Sequence, residues 1–384
     1  MKHILSVDWA TGSNHLLLNP RLPIETKSRF EEAWKSFIEV RFQSLIGIAT
    51  SGSTGEGTGR LVVLSKEALL TSADAVNRRL KSDESDVWYR TLPVFHVGGL
   101  GILARAHRSG AKVIESEAEK WNPSGFYEGL ASSGATLLSL VPTQLFDLVS
   151  AGLRSPESLR AVVIGGGRLS EKLRLQAIGL GWPVLPSYGM TECCSQVATA
   201  LSASDSRMKV LDHAKIRLTE DGRIEVQSTS LLKAQISFDQ RGVATLTDPK
   251  VDGWFTTEDV AEFGSDGELI VLGRAGDFVK IGGEGVVVSR LEDVLEKERL
   301  KLGISGDQVL MSAHDERLGA KIVLLTTNPE VEELVDRFNE SVLPFEAIRS
   351  VHEVEAIPRS ALGKLLRIPA LTLVGLEPPA NFSR

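Results

Sequence analysis

Cysteine is almost missing from this chain: 384 residues carry two, Cys193 and Cys194, side by side. Adjacent cysteines cannot staple distant segments, which excludes a disulfide framework and points to a reducing, cytoplasmic setting. Long apolar runs are missing too. No stretch approaches the roughly 20 apolar residues that a bilayer crossing needs. The stretch from Met1 to Pro20 has one lysine, Asp8 and no apolar core, so a secretory leader is not expected. Neither sign of charge dominates, since 43 basic and 50 acidic residues give a net −7. With no polybasic run, nucleic acid and membrane surfaces are not expected as partners. There is no internal repeat and no low-complexity tract.

What is present is an ordinary globular composition, 42% hydrophobic and 24% charged. The length exceeds one compact core and implies at least two domains. Apolar, β-branched runs at Leu61–Leu64, Lys112–Ile114, Thr136–Leu140, Ala161–Ile164 and Pro183–Leu185 read as strands. Helical patterns at Lys66–Leu80, Pro123–Ser132, Thr143–Ala151 and Glu171–Leu180 lie among them. Such alternation predicts a largely parallel, helix-covered sheet. After Ser206 short strands follow Asp-Gly or Gly turns, at Ala214–Leu218, Arg223–Gln227, Gly242–Leu246 and Glu268–Leu272. That texture predicts an antiparallel β region. A smaller α/β unit is expected beyond, with helices near Ser289–Leu300 and Glu330–Val342 and a boundary at Arg274–Gly276. The fold class is therefore α/β: a large domain, 1–275, of mostly parallel sheet with a β-rich subdomain, and a small mobile domain, 276–384.

Four short stretches carry the chemistry. The first is Thr50-Ser51-Gly52-Ser53-Thr54-Gly55, continued by Gly57 and Gly59. Open backbone amides and hydroxyls in such a loop can wrap phosphates; a polar hairpin turn is the plain alternative. Gly52 and Gly57 have Walker A spacing, but Thr58 stands where that motif needs lysine, and a strand follows instead of a helix. The second is Ser187-Tyr188-Gly189-Met190-Thr191-Glu192. A carboxylate there suits Mg²⁺, a hard cation that bridges phosphates, although Thr191-Glu192 could simply open a helix. Gly165-Gly166-Gly167, after the strand Ala161–Ile164, gives bare backbone that a flat base could approach, without GxGxxG spacing. The third stretch is Gly273-Arg274-Ala275-Gly276-Asp277-Phe278-Val279-Lys280, and the fourth is Pro358-Arg359-Ser360-Ala361-Leu362-Gly363-Lys364.

In that order the four resemble the adenylate-forming superfamily of acyl-CoA synthetases, peptide-synthetase adenylation domains and luciferases, from about Ile48 to Arg367. The resemblance implies that Gly165–Gly167 and Tyr188 face adenine and that Thr191 meets the α-phosphate. Asp259, in Gly253-Trp254-Phe255-Thr256-Thr257-Glu258-Asp259, would take the ribose hydroxyls with Arg274. Lys364 would be the catalytic lysine, a late cation at the α-phosphate. Gly276 would be the hinge, and Lys280 and Gly283 would face CoA. Within the superfamily, Pro93-Val94-Phe95-His96-Val97-Gly98-Gly99, Arg105, Val141-Pro142-Thr143-Gln144-Leu145 and the run on to Cys193-Cys194-Ser195-Gln196 look most like o-succinylbenzoate–CoA ligases. That makes His96 a gate beside the carboxylate and thiol path, and Thr143 and Arg105 acid-binding residues. Arg105 would meet a second, non-reacting carboxylate; otherwise it is a helix-surface arginine. ATP, Mg²⁺ and CoA are the expected cofactors and a carboxylic acid the partner, with a homodimer left open. Two departures stand out. The superfamily loop usually ends in Pro-Lys, where this chain has Gly57 and Thr58, and only 49 residues precede Thr50, so the first subdomain is expected to be shortened. A carrier-protein adenylation enzyme, another acid–CoA ligase and a degenerate nucleotide-binding protein are the alternatives.

Overall fold

The computed structural model describes residues 7–50, 59–116, 121–239, 241–274, 278–359 and 365–379. Apolar alternation divides the first sheet between two cores. Its strands run in the order His15–Leu17, Leu45–Thr50, Arg60–Ser65, Ala234–Phe238, Ala244–Thr247. Successive side chains of a strand point to opposite faces. Accordingly Ile46, Ile48, Val62 and Leu64 enter one cluster with Leu69, Leu100 and Tyr188. Leu45, Leu61, Val63 and Ile236 turn the other way, onto Phe30, Trp34 and Ile38. The last three come from the helix Ile24–Trp34 and the π-helical turn Lys35–Glu39 after it.

A second sheet holds eleven strands among the described residues. Lys112–Glu115, Val87–Arg90, Leu137–Leu140, Ala161–Ile164 and Val184–Met190 are neighbours in that order and parallel. The direction reverses at Ser195–Ser202, and Asp205–Val210, Leu269–Arg274, Phe255–Phe263, Arg223–Ser228 and Ala214–Leu218 continue antiparallel. The sequence therefore reads both textures correctly. Helix starts follow their caps: Ser65 Oγ accepts from Ala68 N at 3.0 Å to open Lys66–Leu80, and Asn122 Oδ1 accepts from Gly125 N at 2.9 Å to open Pro123–Ser132. The helix expected at Thr143–Ala151 runs Pro142–Ser150, because proline is tolerated in its first turn. The strand expected from Gly242 starts at Ala244, since the Asp239 carboxylate holds Arg241 N and Val243 N in a turn.

Beyond Phe278 the described strands pair only with one another. Phe278–Ile281 and Glu284–Val287 form a hairpin, and Gln308–Asp315, Gly319–Thr326 and Ile348–Glu353 form a three-stranded sheet. Helices Val288–Leu302 and Glu332–Glu340 cover this region with a core of its own around Leu291, Ile322, Leu324, Leu334 and Phe338. No helix among the described residues is long and apolar enough to cross a membrane.

Candidate active site

In open α/β sheets ligands gather at the carboxyl ends of strands where the strand order or direction switches. Here the switch lies between Val184–Met190 and Ser195–Ser202, joined by a single 3₁₀ turn, Thr191–Cys193. This short connection carries Tyr188, Gly189, Thr191, Glu192 and Ser195 to one place. Gly189 is required there: a Cβ would lie 1.9 Å from Ser195 O, where the pairing of the two strands shifts register. Cys194 and Ser195 both have positive φ, +58° and +118°, so the backbone leaves the turn in a strained conformation. Thr191-Glu192 thus opens no α-helix.

On one side of the connection stands a polar trio. Asp259 and Arg274 are cross-strand partners, with Arg274 Nε 3.6 Å from Asp259 Oδ1. Tyr188 donates its hydroxyl to Asp259 Oδ2 at 2.8 Å. Burial and the Asp259 charge push the Tyr188 hydroxyl well above its ordinary pKa, so it keeps the proton it donates. The Tyr188 ring is only 9% exposed and sits in the main core cluster, leaving little open aromatic face beside the hydroxyl contact. Gly165–Gly167 leave the end of Ala161–Ile164 next to this strand: Ser187 Oγ donates to Ile164 O at 2.9 Å, and a Cβ on Gly165 would stand 3.0 Å from Ser187 Oγ. Gly166 and Gly167 face Val141 and Pro142, the residues just before the exposed Thr143.

On the other side, Glu192 lies 4.0 Å from Arg60 Nη2. Arg60 pairs with Thr50 across the strands that flank the glycine loop. Thr50 Oγ1 and Arg60 Nε are buried with no hydrogen-bond partner among the described residues. Nor do any three described His, Cys, Asp or Glu side chains cluster as a metal cage. One mostly buried carboxylate, Glu192, does suit Mg²⁺, which binds through one or two carboxylates plus phosphate oxygens and keeps several waters.

The third element is the helix Val97–Ser109, opened by His96. His96 is exposed, with its ring 4.8 Å from that of Phe95, and local desolvation presses its pKa below the ordinary value. Arg105 leaves the same helix for the interior and is 1% exposed. Its Nη2 donates to Ser195 Oγ at 2.9 Å, its guanidinium lies 5.7 Å from the Trp88 ring centre, and its Nε has no partner among the described residues. Asn77 Nδ2 fixes the helix by donating to Arg105 O at 2.9 Å. The reading of Arg105 as a helix-surface arginine is therefore excluded. Burial pulls its pKa down to about 10, because no described carboxylate offsets the cost.

Ser51, Gly52, Ser53, Thr54, Gly55, Gly276 and Lys364 lie outside the described residues. The residues flanking Lys364 are tied down: Arg359 pairs with Leu365, and its guanidinium grips Asp307 at 2.8 Å. Lys280 and Gly283 are exposed on the hairpin Phe278–Val287. Sequence reasoning missed Arg60 and the Ser195 contact to Arg105. A cation directly after the last loop glycine was the available signal for Arg60; the Ser195 contact depends on a reversal of chain direction that no local pattern encodes.

Residues 44–227 match the sequence model for AMP-binding enzymes. A 2-succinylbenzoate–CoA ligase of Bacillus cytotoxicus is 27% identical over 368 residues, covering 90% of this chain and 75% of that protein. Its Bacillus licheniformis counterpart is 29% identical over 338 residues, covering 83% and 68%. Among solved structures, o-succinylbenzoate coenzyme A synthetase from Bacillus subtilis in complex with ATP and magnesium superposes with a TM-score of 0.73 at 26% identity, covering 94% of this chain and 79% of that one. The AMP complex of the same enzyme gives 0.69 at 27% identity, covering 84% and 68%.

Proposed function

We propose that this chain, which carries an AMP-binding enzyme domain, is an AMP-forming acid–CoA ligase whose acid is o-succinylbenzoate, a step of menaquinone synthesis. A carboxylate oxygen of the acid attacks the α-phosphorus of ATP, the bond to the β-phosphate breaks, and pyrophosphate leaves. The CoA sulfur then attacks the acyl carbon, the acyl–oxygen bond breaks, and AMP leaves. Mg²⁺, when bound, neutralises phosphate charge.

In this reading Asp259 and Arg274 hold the ribose, with the Tyr188 hydroxyl fixing Asp259, and Gly165–Gly167 lie along the base. Thr50 to Gly55 carry the phosphates with Gly189 allowing the close turn, Thr191 meets the α-phosphate, and Glu192 holds the metal. His96 and Thr143 flank the reacting carboxylate. Lys364 brings the late cation, Gly276 is the pivot between residues 1–275 and 276–384, and Lys280 and Gly283 border the pantetheine path. The enzyme is cytoplasmic in this reading, with a homodimer to be tested by sedimentation.

The observation that carries the choice of acid is Arg105. Every substrate of such chemistry has the reacting carboxylate, so discrimination needs a group that meets the rest of the molecule. A buried guanidinium with one hydroxyl partner and no counter-ion among the described residues favours a second carboxylate. Leaving it unpaired under a monocarboxylate costs about 3 kcal/mol, roughly 100-fold. Acid-dependent ATP–pyrophosphate exchange should therefore favour o-succinylbenzoate over benzoate and medium-chain fatty acids by about that factor. A monocarboxylate that proves best removes the choice of acid; no exchange with any acid removes the ligase.

A further inference from the structure

We propose that Arg60 supplies the cation for the β- and γ-phosphates of ATP that the glycine loop itself lacks. The inference rests on the adenylation reading above. From Thr50 to Gly59 the chain has one charged side chain, Glu56, and it is negative. Glu192 adds a second negative charge next to Arg60, the residue that follows the loop. A triphosphate bound beside Glu192 brings more negative charge than one divalent ion balances. The site needs a further cation.

Arg60 is where such a cation has to be. It is the first residue after the loop's last glycine, and its backbone is fixed in a strand between Thr50 and Ser237. That anchoring holds the stem and leaves the guanidinium about a third exposed, near Glu192. Its ion-pair contact to Glu192, at 4.0 Å, is at the outer limit for such a pair. Exposed or half-exposed pairs of this length contribute at most about 1 kcal/mol. The same side chain keeps a buried Nε without an acceptor among the described residues. A guanidinium held loosely and only partly satisfied, next to a metal-suited carboxylate, matches phosphate oxygens, which accept its parallel N–H groups in pairs. A strand-borne arginine is also less free than a loop lysine, so less side-chain entropy is lost on binding.

The test measures binding by calorimetry, with ATP, pyrophosphate and AMP as probes in the presence of Mg²⁺, on the full chain. Arg60→Ala should weaken ATP and pyrophosphate at least about tenfold, the value of one charge-assisted phosphate contact, and leave AMP within about twofold. AMP lacks the β- and γ-phosphates and so reports whether the variant is folded. Adding Thr58→Lys to Arg60→Ala should restore most of the lost affinity, because it puts a cation back at the loop. Arg60→Lys should fall between wild type and Arg60→Ala. Equal losses for ATP and AMP, no loss for ATP, or no rescue by Thr58→Lys would each overturn the proposal. Wild-type protein without acid-dependent exchange sinks the ligase reading and this inference together. Wild-type exchange with unchanged ATP affinity in Arg60→Ala sinks the inference alone.

Discussion

At Arg105 the proposed acid-binding role and stability pull in opposite directions. The cation is 1% exposed, and desolvation has lowered its pKa from the ordinary arginine range to about 10. Because the folded value is below the unfolded one, the charged state is penalised at neutral pH, and the penalty fades only as pH rises through that interval. The gap corresponds to roughly 3 kcal/mol. Arg105→Met keeps the volume and removes the charge, so without acid its melting temperature should rise, while KM for the dicarboxylate rises about 100-fold. A lower melting temperature would mean that the Ser195 and Trp88 contacts outweigh the desolvation, making Arg105 structural. This residue was legible in the sequence as a candidate, through its place nine residues after His96. Its burial followed from the resemblance and not from local pattern, since Gly101 and Ser195 make the space it occupies, and they come from a helix rich in glycine and a strained turn.

At the scale of elements, the alternating strands and helices were legible because caps and apolar period agree with the fold. The helix Val97–Ser109 and the strand Ser195–Ser202 were not. The helix has glycines at 98, 99 and 101, poor formers that persist because a Cβ on Gly99 would strike the carbonyls of Leu92 and Pro93. The strand has six consecutive buried residues, so it shows no alternation. Gly189→Ala, with its Cβ 1.9 Å from Ser195 O, has to push two paired strands apart. It should lower stability by about 3 kcal/mol in denaturant titration and abolish exchange activity. At the opposite ends of the parallel strands, Asp86 ties three of them together through Arg160 Nε at 2.8 Å and Thr136 Oγ1 at 2.7 Å. Burial raises its pKa, but the Arg160 and Thr136 hydrogen bonds outweigh that and hold the carboxyl at about 2, against 3.8 unperturbed. A depressed folded pKa stabilises the protein above the unfolded value and is lost as pH falls toward 2. Asp86→Asn should therefore cost roughly 2 kcal/mol at pH 7, with the difference from wild type shrinking between pH 4 and pH 2. A gap independent of pH would assign the loss to packing.

At the scale of the molecule, the order of four motifs made the chemistry legible, while the packing of the strands beyond Phe278 against the rest was not. An ion pair, Arg168 to Asp293 at 3.1 Å, links the glycine turn after Ala161–Ile164 to the helix Val288–Leu302, and both side chains are about half exposed. Such a pair contributes at most about 1 kcal/mol, so Asp293→Ala should alter either half-reaction less than about fivefold. Gly276→Pro is different in kind, since it fixes φ and removes an N–H at the proposed pivot, and it should separate the two half-reactions by far more. Lys364→Ala decides whether two poses are used at all. Arg359 and Leu365 anchor the ends of its segment independently of the lysine, so its loss should leave the fold intact. If the lysine acts only on charge developing at the α-phosphate, acyl-adenylate formation should fall by several orders of magnitude. Conversion of supplied acyl-adenylate and CoA should stay near wild type, because that step moves no charge onto the pyrophosphate side. Single-turnover assays of the two halves measure both rates on the same preparation. Parallel loss of both would assign Lys364 to binding AMP in each pose, and survival of both would place the late cation on another residue.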